Sequence, residues 1–180
     1  MHLGAELMHS LLRTRKASPN GGDKVRDSLQ AAVAELGPTL SPWLMRGAGS
    51  ATTTRQIEEA RLDIERAPEL ADTLLTVEAF RFVSQLPEFM RRTYLEGMGF
   101  QLGLRTGPYE TVDRPLFRSL GALPSEQLAI YLEAAGWGFR MRYREATYRA
   151  PGNLLIHERL NAEQHLLFDA GLRGELPRQD

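Results

Sequence analysis

Tyr94-Leu95-Glu96-Gly97 and Tyr131-Leu132-Glu133-Ala134 lie 37 residues apart and share one pattern: two apolar residues, an acid, then a small residue. A third version, Leu167-Phe168-Asp169-Ala170, begins 36 residues after the second. The first two agree over more length. Pro87 matches Pro124, Gly99 matches Gly136, Phe100 matches Trp137, and Arg105 matches Arg142. Repetition at this period marks one supersecondary unit used more than once.

Around these copies, apolar residues recur at helical spacing, and no run of alternating β-branched residues points to strands. The expected fold is all-α: a single domain over residues 1–180 with six or seven helices and an internal repeat of about 37 residues. Residues 1–36 read as two N-terminal helices, 2–16 and 23–36. Asp23 would cap the second, and Gly37-Pro38 would stop it. Residues 37–54, with three glycines and two prolines, read as a connector pinned by Trp43, Leu44 and Met45. Residues 55–170 form the expected helical core with the repeats. Thr53 or Thr54 would cap a helix ending near residue 66. Pro87 and Pro124 would open the repeat helices, proline being favoured in a first turn. Thr106-Gly107-Pro108 would end the first, and the second would end near Tyr143. A last helix is expected over 154–170, before a polar tail at 171–180.

Glycines inside the repeat helices call for a cause. The first copy carries Gly97, Gly99 and Gly103; the second carries Gly136 and Gly138. Each costs about 1 kcal/mol of helix stability relative to alanine. Close approach of another backbone, or of a bound group, would offset that cost. In the second copy, Leu128, Leu132, Ala135 and Phe139 make one apolar stripe, and Ile130, Ala134, Trp137 and Met141 another. A helix apolar on more than one side is a central, buried one.

Composition narrows the function classes. Net charge is −1, which argues against a basic nucleic-acid-binding face. There is no cysteine, so disulfides, thiolate metal sites and thiol catalysis are excluded. No stretch has the roughly 20 apolar residues that span a bilayer. The first residues lack a long apolar run with a cleavage site, so no signal peptide is expected and the expected compartment is the cytoplasm.

The candidate ligand-binding residues are Glu96, Gly99, Phe100, Glu133, Gly136, Trp137 and Asp169. Glu133 has no basic residue three or four positions away and has Trp137 at i+4, which favours a raised pKa or a partner on another element. Glu96 has Arg92 at i−4, and Asp169 has His165 at i−4 and Arg173 at i+4; both fit intrahelical ion pairs. Joined across helices, Glu96, Glu133, His165 and Asp169 would suit iron, manganese or zinc. One Glu-x-x-His pair, Glu6 and His9, resembles half of a di-metal bundle site, but its second pair is missing. Phe80, Phe82, Phe100, Trp137 and Phe139 could line an apolar pocket or fill a core. There is no phosphate loop, dinucleotide fingerprint or nucleophile elbow, and no cofactor is named by the sequence.

Residues 89–103, containing Tyr94-Leu95-Glu96-Gly97-Met98-Gly99-Phe100, resemble the aromatic-x-Glu-Gly segment of an uncharacterised bacterial helical family. That family is encoded beside enediyne polyketide biosynthesis genes and elsewhere in actinobacteria and myxobacteria. Ala134-Ala135-Gly136-Trp137-Gly138 is similar to its Gly-Ala-Gly-Trp segment, Phe168-Asp169-Ala170-Gly171 to its third segment, and Arg46-Gly47 to its opening. The aromatic–glycine of the third segment is replaced here by Leu172-Arg173-Gly174. The resemblance implies an accessory role in secondary metabolism and carries no catalytic residues. The function expected is therefore a non-catalytic protein that holds an apolar small molecule or a protein partner, either as a homo-oligomer or with other subunits. The alternatives are a carboxylate/His-ligated metalloenzyme and a structural subunit of a larger assembly.

Overall fold

The computed structural model describes residues 21–66, 81–105, 123–143 and 160–174, with the side chains of the first helix described over 24–58. Among the described residues the chain is helical and has no strand. The helices are α1 (Gly21–Arg66), α2 (Glu88–Arg105), α3 (Ser125–Arg142) and α4 (Ala162–Arg173). Residues 81–85 are also helical and lead into α2. The helix expected over 2–16 and the first residues of the one expected over 154–170 lie outside the described residues, as do Glu6, His9 and Phe80.

The connector expected at 37–54 is helix instead. α1 breaks only at Gly37, whose φ of 69° and ψ of −179° lie outside helical space. Glycine alone takes that φ readily. Pro38 then falls at the first position of a restarted helix, where the missing N–H costs little, and Pro42 follows one turn later. Leu44 and Met45 are buried as expected, but Trp43 is 54% exposed.

α2 and α3 follow the prolines as expected. The carbonyl of Pro87 accepts from the N–H of Met90 and of Arg91, and that of Pro124 from Leu128. α4 starts later than expected, because Asn161 is extended and caps it. The Asn161 side chain accepts from the Gln164 N–H, and the Gln164 side chain accepts from the Asn161 N–H. Gly174, with φ 79°, closes α4 in the left-handed conformation common at helix ends.

The helices pack in chain order: α1 on α2, α2 on α3, α3 on α4. Their crossings are made backbone to backbone. Gly49 lies against the carbonyl oxygen of Tyr94, and Gly97 against that of Arg46. Gly103 lies against the carbonyl of Ala135, and Gly138 against that of Phe100. Gly136 lies against the carbonyl of Phe168, and Gly171 against that of Glu133. In each pair, each glycine meets the carbonyl of the residue three before the other glycine. An added Cβ at any of the six would overlap that oxygen. The glycine Cα–H therefore points at the carbonyl, a contact worth about 0.5–1 kcal/mol, and the closer approach adds dispersion along the crossing. Together these offset the roughly 1 kcal/mol propensity cost of each glycine.

The register also gives direction. Gly99 meets Tyr131, and Gly103, one turn later, meets Ala135, one turn later. α2 and α3 thus run parallel, as do α1 and α2, where Ser50 bonds Gln101 one turn after Arg46 bonds Glu96. Acids in the first turns (Glu88, Glu126, Glu163) and arginines in the last turns (Arg105, Arg140 and Arg142, Arg173) compensate the aligned ends. Between the helices lie Tyr94, Tyr131, Phe139 and Phe168, all fully buried.

Candidate functional site

Two of the expected ligand residues are occupied by the fold itself. Gly99 and Gly136 face the carbonyls of Tyr131 and Phe168, not an open space. Phe100 and Trp137 come together across α2 and α3, with ring centroids 4.6 Å apart and planes tilted by 45°. Phe100 is buried and Trp137 half-buried. Phe82 and Phe139 belong to the core.

The acids form a ladder across the first three helices. Arg46 Nε on α1 donates to Glu96 Oε2 on α2 at 2.7 Å. Arg92, one turn before Glu96, stands 3.5 Å from its other oxygen. The Arg46 and Glu96 side chains are only 20% and 18% exposed, so this pair is better shielded than a surface pair. Glu133 on α3 is half-buried. Burial pushes its carboxyl above the ordinary range, and the Arg92 guanidinium pulls it partly back. Its charge partner is therefore on the neighbouring helix.

Asp169 does not join them. The contact from Gly99 to Tyr131 and the contact from Gly136 to Phe168 each span 32 residues. Phe168 thus takes the place of Tyr131, which sets Asp169 at the place of Leu132 rather than of Glu133. Asp169 and His165 are half-buried on α4. Among the described residues, no group of three or more His, Asp or Glu side chains is placed to hold a metal ion. The set Glu96, Glu133, His165 and Asp169 is not gathered into one.

Polar side chains also join α1 to α2. The hydroxyls of Thr52 and Tyr94 are 2.5 Å apart, and Thr53 Oγ1 donates to the Met98 carbonyl at 3.1 Å. Ser50 Oγ donates to Gln101 at 2.9 Å. The Tyr131 phenol is fully buried, and desolvation holds its pKa well above the ordinary value. Its burial favours the neutral phenol. The Ser50, Thr52 and Thr53 contacts hold α1 against α2.

Besides Met141 on α3 and Leu166 on α4, the exposed large apolar side chains of the described residues form an edge on α1 and α2. Leu40 and Trp43 on α1 are 53% and 54% exposed, and Phe89 on α2 is 69% exposed. Arg46 stacks over the Trp43 ring, its guanidinium carbon 5.5 Å from the centroid. Trp43 lies one turn before Arg46, and Phe89 two turns before Glu96. Because α1 and α2 run parallel and Arg46 bonds Glu96, Trp43 and Phe89 flank the same side of the ladder. Phe89 is not among the residues expected to bind a ligand. The available signal is the repeat itself, since Glu126 stands at the matching place in the second copy.

Comparison with family models, curated proteins and solved structures finds no match. No helix of the described residues is long and apolar enough to cross a membrane.

Proposed function

We propose that the protein is a non-catalytic accessory or binding protein of bacterial secondary metabolism, acting in the cytoplasm and holding an apolar partner along the Leu40–Trp43–Phe89 edge. α2 and α3 read as successive copies of one unit of about 37 residues, and such arrays offer extended surfaces of side-by-side helices. The partner is a protein, and a second copy of this chain is the first to test. The place in secondary metabolism rests on the sequence resemblance.

The exposure of Trp43 and Phe89 carries this reading. Tyr94, Tyr131, Phe139 and Phe168 are fully buried, while these two rings are exposed, Trp43 with the Arg46 guanidinium over it. Exposed aromatics with arginine are the residue types that dominate protein interfaces. Of the residues expected to bind a ligand, Glu96 and Glu133 stand in the ladder, and Phe100 and Trp137 make the ring contact.

Sedimentation of the wild type and of a Trp43→Ser/Phe89→Ser variant over a concentration series tests it. Association in the wild type that is lost in an equally helical variant is the expected result. A monomer at every concentration counts against a second copy as partner.

A further inference from the structure

Gly49, Gly99 and Gly136 make the same contact. Each lies against the carbonyl of a large residue of the next helix: Tyr94, Tyr131 and Phe168 respectively. Gly99 and Gly136 are the matched glycines of the repeat. Gly49 is 50 residues before Gly99, a spacing that hides the match. Aligned on these glycines, Leu44-Met45-Arg46-Gly47-Ala48-Gly49 lies beside Tyr94-Leu95-Glu96-Gly97-Met98-Gly99 and Tyr131-Leu132-Glu133-Ala134-Ala135-Gly136. The first two positions are buried in all three helices, and so are the last three. The third position alone changes sign. It is Arg46 in α1, Glu96 in α2 and Glu133 in α3.

We infer that α1 is a further copy of the repeated helix, and that Arg46, standing in the column held by acids, positions the Trp43 indole of the outward edge. Arg46 has two contacts that serve this role. Its Nε bonds Glu96 at 2.7 Å, and its guanidinium lies over the Trp43 ring at 5.5 Å. A planar guanidinium can do both at once, by hydrogen bonding in its plane and stacking on its face. An acid at this position would bond neither Glu96 nor the ring. The positioning claim gains its purpose from the edge as a docking surface, but its own test does not depend on any partner.

The experiment reverses the pair, as Arg46→Glu with Glu96→Arg, and compares it with Arg46→Lys. If the column runs through α1, the reversed variant keeps the pair and also sets a guanidinium between two acids, positions 46 and 133. It should then fold with wild-type helicity. The Glu133 carboxyl, followed by NMR titration, should titrate at lower pH than in the wild type. Failure to fold, or an unmoved Glu133 titration, overturns the shared register. Relaxation of the Trp43 indole N–H, with Trp137 as internal reference, reads the positioning role. Both variants should loosen the Trp43 indole while Trp137 stays unchanged. An indole as ordered as in the wild type overturns that role. Loss of indole order with intact self-association would retain the positioning claim and count against the edge as the docking surface.

Discussion

Gly136 on α3 and Gly171 on α4 are reciprocal: Gly136 rests on the carbonyl of Phe168, and Gly171 rests on the carbonyl of Glu133. The same relation joins Gly49 to Gly97 and Gly103 to Gly138. Six of the described helix glycines thus form three reciprocal pairs, one pair per crossing, and Gly99 adds a one-sided contact with the Tyr131 carbonyl. Small residues that let parallel backbones touch are best known from helices in membranes, where no hydrophobic force drives association. Here the same device works beside a conventional core of Tyr94, Leu95, Tyr131, Leu132 and Phe168.

The Arg46–Glu96 pair should show coupling in a double-mutant cycle with Arg46→Ala and Glu96→Ala. Neighbouring groups of this kind couple by roughly 0.5–3 kcal/mol. Removing Arg46 alone leaves Glu96 with Arg92 at 3.5 Å, so the single loss should fall short of that for an uncompensated buried charge. Additive single losses would show that the 2.7 Å contact contributes nothing.

Glu133 makes stability depend on pH in the less common sense. Burial raises its carboxyl above the ordinary 4.5, so the folded chain binds this proton more tightly than the unfolded chain. Stability from this group is present below pH 4.5 and is lost as pH rises through the folded-state value. Glu133→Gln does not titrate, so its stability relative to the wild type should rise over that window and then level off. Urea midpoints at a series of pH values check this. A relative stability that falls over the same window would mean that the attraction to Arg92 outweighs burial.

Asn161→Ala should cost about 0.5–2 kcal/mol, as for other side-chain N-caps. It removes the acceptor for the Gln164 N–H and half of the capping box. The loss should be read by urea unfolding, with Asn161→Asp as the control that keeps the acceptor. Equal stability of the alanine and aspartate variants would count against the cap.

The close approach at Gly99 and Gly136 is legible in the sequence, because an interior glycine in a helix needs a packing reason. The connector at 37–54 is misread for the same chemistry. Gly47 and Gly49 resemble loop formers until a second helix is laid on them. Asp169 is misplaced by one position, because Leu167-Phe168 and Phe168-Asp169 both offer a large residue where the pattern wants one. Only the contact from Gly136 to Phe168 chooses between them. The exposure of Trp43 and Phe89 is not legible from periodicity, which marks a residue as apolar without saying whether anything covers it. The ladder is half legible. Glu96 with Arg92 follows from helical spacing, whereas Arg46 and Glu96 are 50 residues apart and meet only in the fold.

The central claim is that the helices cross on bare backbone. Urea unfolding of Gly136→Ala, followed by circular dichroism, tests it most directly. On an open helix face the substitution would stabilise by about 1 kcal/mol through helix propensity. At a crossing the new methyl meets the Phe168 carbonyl and must force α3 and α4 apart, which costs about 1–3 kcal/mol or more. The predicted result is a lower urea midpoint than the wild type. A midpoint equal to or above the wild type would contradict the account.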